Sequence, residues 1–203
     1  MEMGLALRRL SFLDWGPIEF SVARGEFVGI SGESGSGKTL LLRAIADLIE
    51  HGGELRWDKR TSESMAGHEW RRKIGLMPAN PVWWYDRVGD HFTGGGSQWL
   101  SALGLAEDIA DWDVARLSSG ETQRLAFVRL LDQRPECLLL DEPTANLDVN
   151  SERRVEDAIR DYVRGENASC LLISHQRDLL DRLCDRQFVM SGRTLKQLSA
   201  PNS

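Results

Sequence analysis

Residues 32–39 read Gly32-Glu33-Ser34-Gly35-Ser36-Gly37-Lys38-Thr39, or GESGSGKT. They fit the pattern G-x-x-x-x-G-K-[ST] in full. Before them stands EFVGIS (26–31), a short and nearly continuous apolar run, the mark of a strand buried on both faces. After them comes TLLLRAIADLIE (39–50), helical in length and composition. The pattern therefore joins a strand to a helix, the context that gives it meaning. Gly32, Gly35 and Gly37 let the backbone turn tightly and aim several N–H groups at one point. A helix N-terminus adds a field that favours anions. Lys38 brings a mobile positive charge to β- and γ-phosphates, and Thr39 a hydroxyl for Mg²⁺. All eight residues are expected to cradle the phosphates of a nucleotide.

Working outward, strand-like and helix-like runs alternate. GLALRRL (4–10) and PIEFSV (17–22) read as opening strands, and GELRWD (53–58) as another. Residues 59–73 are polar, a loop with a short helix. SQWLSALGLAEDIADW (97–112) places Trp99, Leu103 and Ile109 at helical spacing, after a Gly94–Gly96 joint. ETQRLAFVRLLDQ (121–133) is an amphipathic helix, and SERRVEDAIRDYVRG (151–165) a helix expected to end at its glycine. SCLLIS (169–174) reads as a strand, QRDLLDRLC (176–184) as a helix, and RQFVMSG with RTLKQL (186–198) as a hairpin. This alternation predicts an α/β fold with a parallel sheet.

ECLLLDEP (136–143) is a buried strand that ends in acids. In a P-loop ATPase this strand is expected beside the one that feeds the phosphate loop. Asp141 would then hold Mg²⁺, mainly through water. Glu142 would face the attacking water as its general base.

Composition sets the outer bounds. The chain has 203 residues, 41% hydrophobic and 28% charged, which fits one domain with a packed core. Acids outnumber bases by 31 to 25 and the pI is near 5.3, so no nucleic-acid partner is expected. Cys137, Cys170 and Cys184 have no metal-ligand spacing and read as reduced thiols of a cytosolic compartment. No run approaches the ~20 apolar residues of a membrane span. The start, MEMGLALRRL, does not read as a signal peptide.

Further stretches carry a resemblance. LSSGETQR (117–124) resembles the LSGGQ signature of ABC ATPases, TANLD (144–148) their D-loop, and ISH (173–175) their switch histidine. RVGDHF (87–92) is similar to the segment after the family's Q-loop. All follow the phosphate loop in the family's order, over nearly the whole chain. The resemblance implies a P-loop NTPase core of ABC type: a parallel sheet flanked by helices, an N-terminal antiparallel β part and a shortened helical subdomain. Residues 1–78 and 125–203 would form the catalytic core, and about 79–124 the subdomain. It also implies two copies, or two similar subunits, closing head to tail over ATP and Mg²⁺. Ser118, Ser119 and Gly120 of one copy would contact the other copy's γ-phosphate. His175 would contact the γ-phosphate and the water, and Asp148 would join the two halves. Trp15 is favoured over Phe12 for stacking on adenine.

Three departures stand out. In MPANP (77–81), Ala79 occupies the family's glutamine position, and the shorter Asn80 comes one residue late. The span from Lys38 to Gly120 is short. VWWYD (82–86) puts three aromatics side by side, which reads equally as a docking surface or as one or two rings packed inside. The implied function is the ATP-hydrolysing subunit of an ABC transporter, working from the cytoplasmic face of the membrane on a separate transmembrane subunit. The alternative is a soluble ABC-type switch.

Overall fold

In the computed structural model, residues 4–94 and 97–198 are described; Gly95 and Gly96 of the expected glycine joint lie outside them. Two sheets build the molecule. The first is antiparallel, from β1 (Gly4–Phe12), β2 (Trp15–Ala23), β4 (Gly52–Trp57) and the two-residue β5 (Arg60–Thr61), in the order β2-β1-β4-β5. The second holds β3 (Phe27–Ser31), β6 (Ile74–Met77), β7 (Cys137–Asp141), β8 (Ser169–Ile173), β9 (Arg186–Ser191) and β10 (Thr194–Gln197). Its order is β10-β9-β3-β8-β7-β6, parallel except at β10.

The expected α/β fold with an antiparallel N-terminal part is what forms. One placement differs: β7 does not lie beside β3. β8 pairs with both of them and separates them. That insertion places the end of β8 between the phosphate loop and the acids.

The continuous apolar runs are explained by burial on both faces. In β7, Leu138 and Leu140 point into one core, and Cys137 and Leu139 into the other. β8 divides likewise, with Cys170 and Leu172 on one side and Leu171 and Ile173 on the other. One core lies under α4 (Ser119–Asp132), α5 (Val149–Glu166) and α6 (Arg177–Leu183). The other lies between the sheets, around α1 (Lys38–Ile45) and α2 (Gly67–Lys73). There the Trp70 indole is fully buried and donates to the Ile45 carbonyl at 2.8 Å. The three cysteines are free, and burial pushes each thiol above its usual range. No helix among the described residues is long and apolar enough to cross a membrane.

Three helix boundaries differ from the sequence reading. α1 stops at Ile45 because Asp47 takes a left-handed conformation, φ 55°. α5 runs through Gly165 and ends at Asn167, φ 48°, a residue type that tolerates that conformation. The run 97–112 is α-helical only over α3 (Ser97–Ala102), since Gly104 turns left-handed and Ile109 opens a separate 3-10 turn. Leu103 and Ile109 are nevertheless fully buried. Apolar spacing reported their burial correctly but not the backbone between them.

Candidate nucleotide site

The phosphate loop leaves β3 and enters α1. Gly37, at φ 86°, is the N-cap of α1. A Cβ there would stand 2.8 Å from the Trp15 indole, so the ring lies directly against the loop. Phe12, the rival candidate, is 2% exposed and belongs to the core between the sheets. Gly32, at φ 149°, passes so close to β9 that a Cβ would meet the Met190 carbonyl oxygen at 2.4 Å. Lys38 donates from Nζ to the carbonyls of Gly32 (2.7 Å) and Glu33 (2.9 Å) and reaches Ser36 Oγ at 3.5 Å. Burial lowers its pKa, and Glu142 and Asp141 counter that shift.

Both acids come from the end of a single strand, β7. Thr39 donates from Oγ1 to Asp141 Oδ2 at 2.8 Å, so the hydroxyl and the carboxylate share one spot. A Mg²⁺ ion fits these donors: it takes hard oxygen ligands and needs few from the protein when phosphates and water supply the rest. Glu142 sits one residue on, with a left-handed backbone at φ 50°. Its Oε2 accepts weakly from the His175 N–H (3.3 Å) and Ser174 Oγ (3.4 Å). Its Oε1 is buried without a hydrogen bond and stands 3.5 Å from His175 Nε2. Burial raises the Glu142 pKa, only partly offset by His175. A carboxylate held this way is a stronger base than an exposed one. Ser34–Leu40, Ala79, Asp141, Glu142 and His175 line one cleft.

The signature residues do not line that cleft. Ser118 is the N-cap of α4 and forms a reciprocal capping box with Glu121. Its hydroxyl donates to Glu121 Oε2 at 2.7 Å, and Ser119 and Gly120 open the helix. Asp148 caps α5, accepting from the N–H groups of Asn150 and Ser151.

Sequence reading missed two groups. Gln123, 6% exposed, donates from Nε2 to the Glu142 carbonyl at 3.2 Å. It shares the apolar face of α4 with Phe127 and Leu130, and a polar residue on such a face was the available signal. The second group surrounds VWWYD. Trp83 packs against the core, while Trp84 and Tyr85 are 62% and 52% exposed. Arg129 stacks on Trp83 and Trp84 at 4.5 and 4.7 Å. Buried His91 accepts at Nε2 from the N–H groups of Trp84 and Tyr85. One ring of VWWYD thus goes inward and two outward, as the reading with one or two rings packed inside expects.

A phosphate loop between strand and helix, facing two acids at the end of a parallel strand, defines a P-loop nucleotide-binding domain. The chain belongs to the ABC transporter family, whose sequence model matches residues 16–145. It is 35% identical to a fluoroquinolones export ATP-binding protein of Mycobacterium tuberculosis, over 87% of this chain and 62% of that protein. The chain thus spans under two thirds of that relative's length. It is also 35% identical to the aliphatic sulfonates import ATP-binding protein SsuB 3 of Paraburkholderia xenovorans, over 87% and 70% of the two chains. A bacterial Atm1-family ABC exporter, solved with ATP bound, superposes with a TM-score of 0.86 at 21% identity. That match covers 98% of this chain and 39% of the exporter and speaks to the fold alone.

Proposed function

We propose that this chain binds ATP with Mg²⁺ and hydrolyses it to drive a separate transmembrane subunit. The observation that carries this reading is the Glu142 carboxylate, half-buried beside His175 in the cleft that holds Lys38, Thr39 and Asp141. Residues 32–39 hold the phosphates and Trp15 stacks on adenine. Thr39 and Asp141 hold Mg²⁺, which when bound neutralises phosphate charge. Glu142 takes a proton from the attacking water as its oxygen bonds the γ-phosphorus. The bond from that phosphorus to the bridging oxygen breaks, releasing ADP and phosphate. His175 orients the water and the γ-phosphate.

Ser118–Gly120 lie outside their own cleft. They serve a second copy or a similar subunit, with Asp148 at the joint. Residues 1–78 and 125–203 act as the catalytic core and 79–124 as a trimmed helical subdomain. The outward Trp84 and Tyr85 offer apolar area for the membrane partner, at the inner face of the membrane. The relatives are named for both export and import, so direction and cargo rest with that partner.

The test is Glu142→Gln. An amide keeps hydrogen bonds but is not a base, so turnover should fall at least ~100-fold while ATP affinity stays within twofold. Size-exclusion chromatography with light scattering should show ATP-dependent dimers. Full turnover by this variant removes Glu142 from the role.

A further inference from the structure

We infer that Gln123 is a positioning residue for Glu142, tying the base of one nucleotide site to the helix whose N-terminus serves the other. The inference rests on the hydrolysis proposed above.

Glu142 needs an anchor. A left-handed backbone is unfavourable for a residue with a side chain, by roughly 1–2 kcal/mol. The Glu142 carboxylate does not supply the anchor, since its side-chain contacts are 3.3 Å or longer. The peptide groups do. The N–H of Glu142 donates to the Ile173 carbonyl at 3.0 Å. Its carbonyl accepts from the Ala145 N–H at 3.1 Å and from Gln123 Nε2 at 3.2 Å, which fills both lone pairs. Gln123 is the one of these partners that belongs to α4. It is buried on the face of α4 that also carries Phe127 and Leu130, so its amide has little freedom to find another acceptor.

The helix that carries Gln123 is held at two further points. At its first turn, a Cβ on Gly120 would stand 3.5 Å from Leu147, so α4 touches both ends of the segment from Glu142 to Leu147. At its far half, Arg129 is stacked on Trp83 and Trp84 and donates from Nη1 to the Val82 carbonyl at 2.9 Å. A fourteen-residue helix is a rod of about 21 Å. A phosphate seated at Ser118–Gly120, or a partner pressing on residues 82–85, therefore shifts Gln123, and Gln123 shifts Glu142. Hydrolysis at one site then depends on occupancy of the other.

Gln123→Met keeps the length and removes the donor. The expected result is a fall in kcat of about tenfold or more, because misplacing a catalytic group is costly. KM for ATP and the ATP-binding stoichiometry should stay within twofold of wild type. Gln123→Glu, which turns an acceptor toward the same carbonyl, should lose at least as much. A purely structural role would lower binding stoichiometry instead, and that result overturns the inference. The deciding measurement places Gln123→Met on the Glu142→Gln background. A residue acting through Glu142 should there change the residual rate less than twofold. A further tenfold loss, or near-wild-type kcat in the single variants, also overturns the inference and leaves the hydrolysis reading intact. Full turnover by Glu142→Gln alone overturns the hydrolysis reading, and this inference with it.

Discussion

Ala79 contributes only a methyl group to the wall of the phosphate cleft. Asn80 is exposed and opens instead onto a neighbouring hollow with Thr39, Arg43 and Asp141. A water can replace much of a direct polar contact, so nucleotide binding should tolerate the short side chain. Orientation of the attacking water is less forgiving, and a small misplacement can cost ~100-fold. We expect the isolated chain to bind ATP normally and turn over slowly. Ala79→Gln should raise kcat about tenfold with ATP affinity unchanged by calorimetry. If Asn80→Ala abolishes hydrolysis and Ala79→Gln does nothing, Asn80 holds the ligand role.

At the scale of elements, α4 links Glu142 to the turn at Ser118 and to residues 82–84. Its capping box satisfies two N–H groups at the end that we propose serves a second copy. Ser118→Ala removes the side-chain cap and should cost about 1 kcal/mol, a fall in Tm of roughly 2–4 °C. Because Ser118 does not line its own cleft, ATP affinity of the monomer should not change. Dimer formation on the Glu142→Gln background should weaken. A loss of monomer affinity equal to the loss of dimer would place Ser118 in its own chain's site and refute the arrangement in trans.

Across the whole molecule, Glu136 joins the two sheets. It lies just before β7 and accepts from Arg24 (2.5 Å), from the Trp57 indole of β4 (2.9 Å) and from Lys73 at the end of α2. Arg24 also pairs with Asp58, which accepts from the Gly4 N–H. Burial alone would raise the Glu136 pKa, but Lys73, Arg24 and Trp57 hold it at about 2, below its ordinary 4.5. The folded-state value is depressed, so the stabilisation is complete above about pH 4.5 and is lost as pH falls toward about 2. Glu136→Gln leaves two half-buried cations short of a partner. It should cost about 2 kcal/mol, a Tm lower by roughly 4–8 °C at neutral pH. That gap should close as the pH approaches 2 in thermal melts. A constant gap down to pH 2 would mean that the charge of Glu136 contributes nothing.

The sequence by itself determined what depends on local residue order. Phosphate loop, signature and D-loop are contiguous runs in which neighbouring residues act together, so GESGSGKT and LSSGETQR could be read without coordinates. The doubly buried strands were legible for a similar reason, because apolar residues on successive positions leave no face for water. Only the tertiary structure decided relations between residues far apart in the chain. Nothing local to 169–173 says that β8 lies between β3 and β7, since strand order follows from how helices cross over and pack. Trp15 meets Gly37, and Gln123 meets Glu142, through the pairing of separate elements. Helix ends fell between these cases: Asp47, Gly104 and Asn167 adopt left-handed backbones that their residue types permit. Packing around each one chose where the helix stopped.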